Sequence, residues 1–392
     1  MFFHDLPYVP DLLVQEVQGT LSTRLRQNLA CLSCRPLSSD IRTLAHSIRH
    51  QFETIIILGT GGSSLGGQVL CALSHDQQAP RIVFLDEIHP DFFYRTVLAH
   101  DPEKTAVIVI SKSGTTAETL CQLLAIFEHF LSPHASKHFF VLTEEGNSPL
   151  RTLADTYGFS CVTVPSDIGG RFSVLSPTGL FPALIAGINE AALLKGSCQM
   201  LENTRRQDPL CVKSLAVAVQ WTYSKINSVF LSYDTQFTPL SLWYRQLWAE
   251  SLGKNGIGTT PITSQGTIDQ HSQLQLYLDG PKDKAFTFLS VSKRDSRVLF
   301  DATTVDVRLN YLNGKTMEEL LTAECQATYD ALQKQAIPVR HFAFPIFDET
   351  YVGALLAYLM IEVIVTADIL RVNPFDQPAV ERIKSRTREI LS

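Results

Sequence analysis

Charge is what this sequence has least of. Lys, Arg, Asp and Glu make up 18% of its 392 residues, below the usual quarter, and the balance is acidic at −6. No basic field exists to draw in nucleic acid or an anionic membrane, although a small anion held locally remains compatible with that balance. A basic leader with an apolar run and a small-residue cleavage site is missing from MFFHDLPYVP, so no secretory signal is expected. An unbroken membrane-length apolar run is missing too. GALLAYLMIEVIVTADIL is interrupted by Glu362 and Asp368, which predicts a buried core helix. The eight cysteines are scattered without a framework spacing and fit a reducing cytoplasm. CLSC (Cys31 to Cys34) has no second pair to complete a zinc site, so no metal or redox cofactor is expected there.

What is present is an alternation of short apolar runs with helix-length segments. TIIIL (54–58), RIVFL (81–85), AVIVI (106–110), HFFVL (138–142) and CVTV (161–164) are β-branched or aromatic and almost continuously apolar. Strands of that kind are buried on both faces, as in a parallel sheet covered by helices. SVFLSY (228–233), AFTFLSV (285–291) and VRHFAF (339–344) repeat the pattern, separated by helical stretches such as TMEELLTAECQATYDALQKQ. The expectation is a helical lead-in over 1–45 and two α/β domains over 46–195 and 196–392, joined where KGSCQMLENTRRQDP is polar and proline-ended.

In open parallel sheets, ligands sit beyond the carboxyl ends of strands, where the next helix offers free N–H groups and the positive end of its dipole. Two loops of the first domain qualify. GTGGSSLGG (Gly59 to Gly67) follows TIIIL but fails the dinucleotide fingerprint at Ser64, and Gln68 and Val69 stand where a P-loop needs Lys and Ser/Thr. A tight turn and a backbone approach to a ligand, with Ser63 as donor, both remain open. SKSGTTAET follows AVIVI. There Thr115 and Glu118 are spaced as a capping box for the helix ETLCQLLAIFEHFL. Ser111, Ser113 and Thr116 are left over, and neutral hydroxyls with helix amides hold a phosphomonoester without a lysine cluster.

Four stretches carry groups suited to proton chemistry. GGRFSVLSPTGL places Arg171 after two glycines, either against a ligand or on the surface. In LWYRQLWAESLGK, Trp243, Leu247 and Glu250 share a helix face, so a partly desolvated carboxylate competes with a plain ion pair to Lys254. DQHSQLQLYLDG supplies Asp269 and His271, where a solvated or capping histidine is the plainer alternative. In NPFDQPAVERIK, Pro378 suits a first helical turn, which aligns Gln377, Glu381 and Lys384; a solvated Glu381–Lys384 pair is the alternative.

Together these six stretches, running in family order from residue 59 to 384, resemble phosphoglucose isomerase, and more closely its bacterial type. The resemblance implies two sugar-isomerase-type αβα sandwich domains with mainly parallel sheets. It also implies interconversion of glucose 6-phosphate and fructose 6-phosphate in glycolysis and gluconeogenesis, with no cofactor. Carried over by motif, Ser111, Ser113 and Thr116 hold the phosphate, with Ser63, Gly62, Lys112 and Gln377 close by. Glu250 is the base between C2 and C1, Arg171 stabilises the enediolate, and His271 with Lys384 opens the ring. Family members form homodimers in which the histidine reaches the neighbouring subunit's site, so His271 is expected to act in trans. A non-catalytic sugar-phosphate sensor of the same fold, and an isomerase also accepting mannose 6-phosphate, are the rival readings. Ala379 and Ile383 stand where the family usually shows glycine, and the lead-in before residue 59 is short for it.

Overall fold

The computed structural model describes residues 3–27, 29–130, 135–294, 296–301 and 303–392. Its strands, in chain order, are β1 (Phe3–Asp5), β2 (Thr54–Leu58), β3 (Arg81–Leu85), β4 (Thr105–Ile110) and β5 (Phe139–Thr143). They continue with β6 (Ser160–Thr163), β7 (Asn227–Ser232), β8 (Thr260–Gln265), β9 (Lys284–Val291) and β10 (Val339–Phe344). Two five-stranded sheets result, ordered β3-β2-β4-β5-β6 and β1-β10-β9-β7-β8. Every pairing is parallel except that of β1 with β10.

The first sheet follows from its continuous apolar strands. Every residue of β2, β4 and β5 is buried, and successive residues serve opposite faces. Ile56, Leu58, Val107, Val109 and Val141 pack with Phe93, Leu123, Ile126, Leu150 and Ala154 from the helices Pro90–Leu98, Ala117–Phe127 and Pro149–Tyr157. Their neighbours Ile55, Ile57, Ala106, Ile108 and Leu142 pack with Ala45, Ile48, Phe181 and Ile185 from Ser39–Gln51 and Pro177–Ile185. Helices thus cover both faces. The chain runs from β2 to β3 on one side and then to β4 on the other, so the loops after β2 and β4 flank the point where the strand order reverses. Such a reversal opens a crevice at the strands' carboxyl ends.

The second sheet is more polar. Val229, Leu231, Phe286, Phe288 and Val339 meet Tyr277, Cys325, Tyr329 and Leu332 on one face, while Phe230 faces Tyr244 at 4.6 Å between ring centroids on the other. Two strands depart from the sequence expectation. β1 lies inside the lead-in expected to be helical, and its three residues FHD are too short to show any periodicity. β8, TPITSQ, is polar and contains Pro261; it is an edge strand, where the missing proline N–H costs no ladder bond. ETLCQLLAIFEHFL forms a helix over Ala117–Phe127 and a 3-10 turn over Glu128–Phe130, and its last residue, Leu131, lies outside the described residues.

By compactness the chain divides into a unit of Gln27–Leu201 with Val352–Met360 and a unit of Met1–Arg26, Glu202–Tyr351 and Ile361–Ser392. This differs from the contiguous segments 1–45, 46–195 and 196–392, because strand β1 pairs with β10 and so joins the residues around it to the second sheet. The helix Glu349–Ile369 is long and apolar enough to cross a membrane by composition, yet 83% of its most apolar window is buried within the protein. It is a core helix. Its Glu362 is fully buried and bonded to Arg340 at 2.6 Å and to the Tyr244 hydroxyl at 2.9 Å.

Candidate active site

In the unit carrying the first sheet, three loops converge. The glycine-rich loop after β2 forms a 3-10 turn, Gly61–Ser63, that runs into the helix Leu65–Cys71. Gly62 lies so close to the arginine loop that a Cβ there would overlap the Gly170 carbonyl and stand 2.8 Å from the Arg171 amide nitrogen. Ser173 of the arginine loop donates to the Gly170 carbonyl at 2.7 Å and to that of Gly62 at 3.4 Å. Arg171, read from sequence as a possible surface residue, is only 4% exposed. Ser63 and Lys112 line one small cleft together with Gly170 and Ser173. The Lys112 ammonium donates to the Ser166 carbonyl at 2.6 Å.

The loop after β4 corrects the sequence expectation. Thr116, not Thr115, is the N-cap residue of Ala117–Phe127, and no side chain caps that helix. The capping box of Thr115 and Glu118 is absent because both neighbouring hydroxyls bond elsewhere. Thr116 Oγ1 lies 3.0 Å from Ser111 Oγ, and Thr115 Oγ1 lies 2.9 Å from Ser113 Oγ. The amides of Ala117, Glu118 and Thr119 find no acceptor among the described residues. Uncapped first-turn amides at the positive helix end, beside paired hydroxyls, make an anion cradle. Gly114 permits the bend with φ +62°, and a side chain there would overlap Ser148 Oγ.

The unit carrying the second sheet holds the remaining groups. Trp243 and Leu247 are buried as the helical stripe predicts, and Glu250, one turn further on, is half-buried. Gln246 donates from Nε2 to Glu250 Oε1 at 3.0 Å. Sequence reasoning missed Gln246, because a glutamine four residues before a glutamate on a helix resembles an ordinary surface pair. The alternative Glu250–Lys254 pair does not form. Lys254 instead bonds Asp376 at 2.9 Å and the Asn373 carbonyl, tying the end of this helix to the segment that precedes Gln377.

His271 is exposed at the end of the short helix Gly266–Gln270, which β8 introduces. Asp269 fixes that turn by accepting from Ser264 at 2.8 Å, the Gln265 amide at 2.7 Å, Ser272 at 2.8 Å and Gln273 at 3.1 Å. Burial alone would push its carboxyl up; the hydrogen bonds outweigh that and hold it below the usual carboxylate range. Gln377 is the N-cap residue of Pro378–Leu391, whose residues are all solvent-facing. Lys384 bonds Glu381 at 2.8 Å, the solvated pair of the sequence reading, and Ala379 and Ile383 beside it are exposed. Cys31 of CLSC is buried, and that burial pushes its thiol up to about 12.

Two helix-covered, mainly parallel sheets, the first presenting hydroxyl- and glycine-rich loops at its reversal point, define the sugar-isomerase class of fold. A profile described as phosphoglucose isomerase matches residues 38–392. The chain is 33% identical over 416 residues to a glucose-6-phosphate isomerase of Carboxydothermus hydrogenoformans, covering 100% of this chain and 84% of that protein. A crystal structure of a hypothetical protein from Thermus thermophilus superposes with a TM-score of 0.87 at 31% identity, covering 97% and 95% of the two chains. That of a glucose-6-phosphate isomerase from Chlamydia trachomatis gives 0.81 at 21% identity over 98% and 86%, a likeness of fold. The chain belongs to the phosphoglucose isomerase family.

Proposed function

We propose that the protein interconverts glucose 6-phosphate and fructose 6-phosphate in cytoplasmic glycolysis and gluconeogenesis. The observation that carries this reading is the loop Ser111 to Thr116. Its hydroxyls are paired with one another, and it opens onto uncapped helix amides at the reversal point of the first sheet. In this reading Ser111, Ser113 and Thr116 bind the phosphate with Ser63, Gly62, Lys112 and Gln377. A phosphate anchor remote from C1 and C2 supplies binding energy that orients the reacting carbons.

Glu250 takes the proton from C2 and returns it at C1. A carbon acid beside a carbonyl needs a well-aimed base, and the Gln246 hydrogen bond supports such aim. Arg171 carries the charge that develops on the enediolate oxygen; its burial favours strong electrostatic stabilisation. His271 and Lys384 open the sugar ring. We further propose a homodimer in which His271 serves the partner's site, supported by its exposure and by the exposed apolar residues Val380, Ile383, Ile390 and Leu391 of the last helix.

The test is a coupled assay from fructose 6-phosphate to glucose 6-phosphate without added metal, with mannose 6-phosphate assayed in parallel. Turnover of the glucose pair is expected; a folded sample that binds fructose 6-phosphate without converting it would leave only a sensor. Glu250→Gln should keep KM within a few-fold while kcat falls roughly 10²–10⁴-fold, and near-normal kcat would remove Glu250 from the mechanism.

A further inference from the structure

Away from the loops described above, the helix Ser39–Gln51 carries two histidines that the proposed chemistry does not use. His46 and His50 are one turn apart, both exposed, with their Nε2 atoms 3.2 Å from each other and their ring centroids 4.4 Å apart. Their place in the chain sets them far from the phosphate loops. They precede the amino end of β2, whereas those loops follow the carboxyl ends of β2 and β4.

The helix under them is well fixed. Ser38 Oγ accepts from the Ile41 amide, and Ala45 and Ile48 are buried on the inner face. Arg49 donates to the Ile185 carbonyl at 2.7 Å and pairs with Asp76. The cation nearest in sequence on the outer side, Arg42, is drawn to Glu190 at 3.0 Å. Both arginines are therefore engaged by carboxylates, and the two imidazoles face solvent.

We propose that His46 and His50 form a surface site for a divalent transition ion of the zinc, nickel or copper kind, with water completing its coordination. The spacing of the two nitrogens, which hydrogen-bond each other in the ion's absence, suits chelation. Metal–nitrogen bonds of about 2.0–2.1 Å on nitrogens 3.2 Å apart subtend roughly 100° at the metal, between square and tetrahedral angles. Imidazole nitrogen is a ligand these ions favour, whereas magnesium selects oxygen. The helix spacing supplies the rest: residues four apart meet on one face, so a single ion closes a ring across one turn.

Equilibrium dialysis of the untagged full-length chain against zinc chloride near neutral pH tests this. The wild type is expected to hold one zinc equivalent more than the His46→Gln/His50→Gln double variant. Each single variant should bind that equivalent at least about tenfold more weakly, and magnesium should not replace zinc. Equal zinc binding by all four proteins, or magnesium binding as well as zinc, overturns the site. Circular dichroism checks that the variants keep their helix content. Should one lose it, assigned histidine resonances of the wild type decide instead: selective perturbation of His46 and His50 by zinc supports the site, and unperturbed rings overturn it.

Discussion

At Gly62 the absence of a side chain holds two loops in register. Any Cβ would drive the Gly170 carbonyl and the Arg171 amide away from the glycine-rich loop. Gly62→Ala is therefore expected to lower kcat/KM and to cost about 1–3 kcal/mol of stability, the range for overpacking. Steady-state kinetics and thermal unfolding check both, and a variant indistinguishable from wild type would mean the loops yield freely. In the loop after β4, where Ser111 pairs with Thr116 and Ser113 with Thr115, the crowding of hydroxyls was legible in the sequence. Two features were not. The burial of Arg171 depends on loops packed in space, and the Gln246 bond to Glu250 depends on side-chain rotamers that spacing does not fix.

Among elements, the two loop-and-helix junctions show why capping is harder to read than strand formation. Thr115 matched a capping spacing, yet Thr116 occupies the N-cap and its hydroxyl turns to Ser111. By contrast Ser148 accepts from the Arg151 amide at 3.2 Å and does cap its helix. Ser148→Ala should cost about 1 kcal/mol and Thr115→Ala less than about 0.5 kcal/mol, measured by chemical denaturation; equal losses would contradict the assignment. The inner strands of the first sheet, β2, β4 and β5, were legible because burial on both faces leaves an unbroken apolar signature, whereas β8, half-solvated at an edge, carries none. The second sheet also reverses its order, between β7 and β9. There Arg294 pairs with Asp234 at 3.0 Å and donates to the Tyr233 and Val291 carbonyls, so a protein cation is bonded across the loops that follow those two strands.

For the whole molecule, stability hangs on buried polar groups as well as on its apolar layers. Arg340, 1% exposed, meets Glu362, Thr287 and the Ser214 carbonyl, and its guanidinium lies over the rings of Trp221 and Phe342. Glu362→Ala or Arg340→Ala should each destabilise by about 3–5 kcal/mol, because the survivor is left charged and unpaired; denaturant titration measures it, and a loss under about 1 kcal/mol would show that water reaches the pair. His341 adds a pH dependence. Burial first, then His4, lower its pKa from 6.5 to about 4, with Asp5 opposing, while Ser290 Oγ lies 2.7 Å from its Nε2. The unfolded chain then binds the proton that the folded one refuses. Its contribution is complete above pH 6.5 and is lost as pH falls toward about 4. Melting temperatures across that window should drop more for wild type than for His341→Leu, and parallel curves would exclude His341 as the cause.

The division of the chain has a genetic consequence. The unit built from Gln27–Leu201 is completed by Val352–Met360, encoded far downstream, and Gly353 packs so closely on the Leu193 carbonyl that no larger residue fits. A gene cut after codon 201 would deliver that unit without its last piece. Residues 27–201 expressed alone are therefore expected to be less stable than the same unit within the full chain, as limited proteolysis would show.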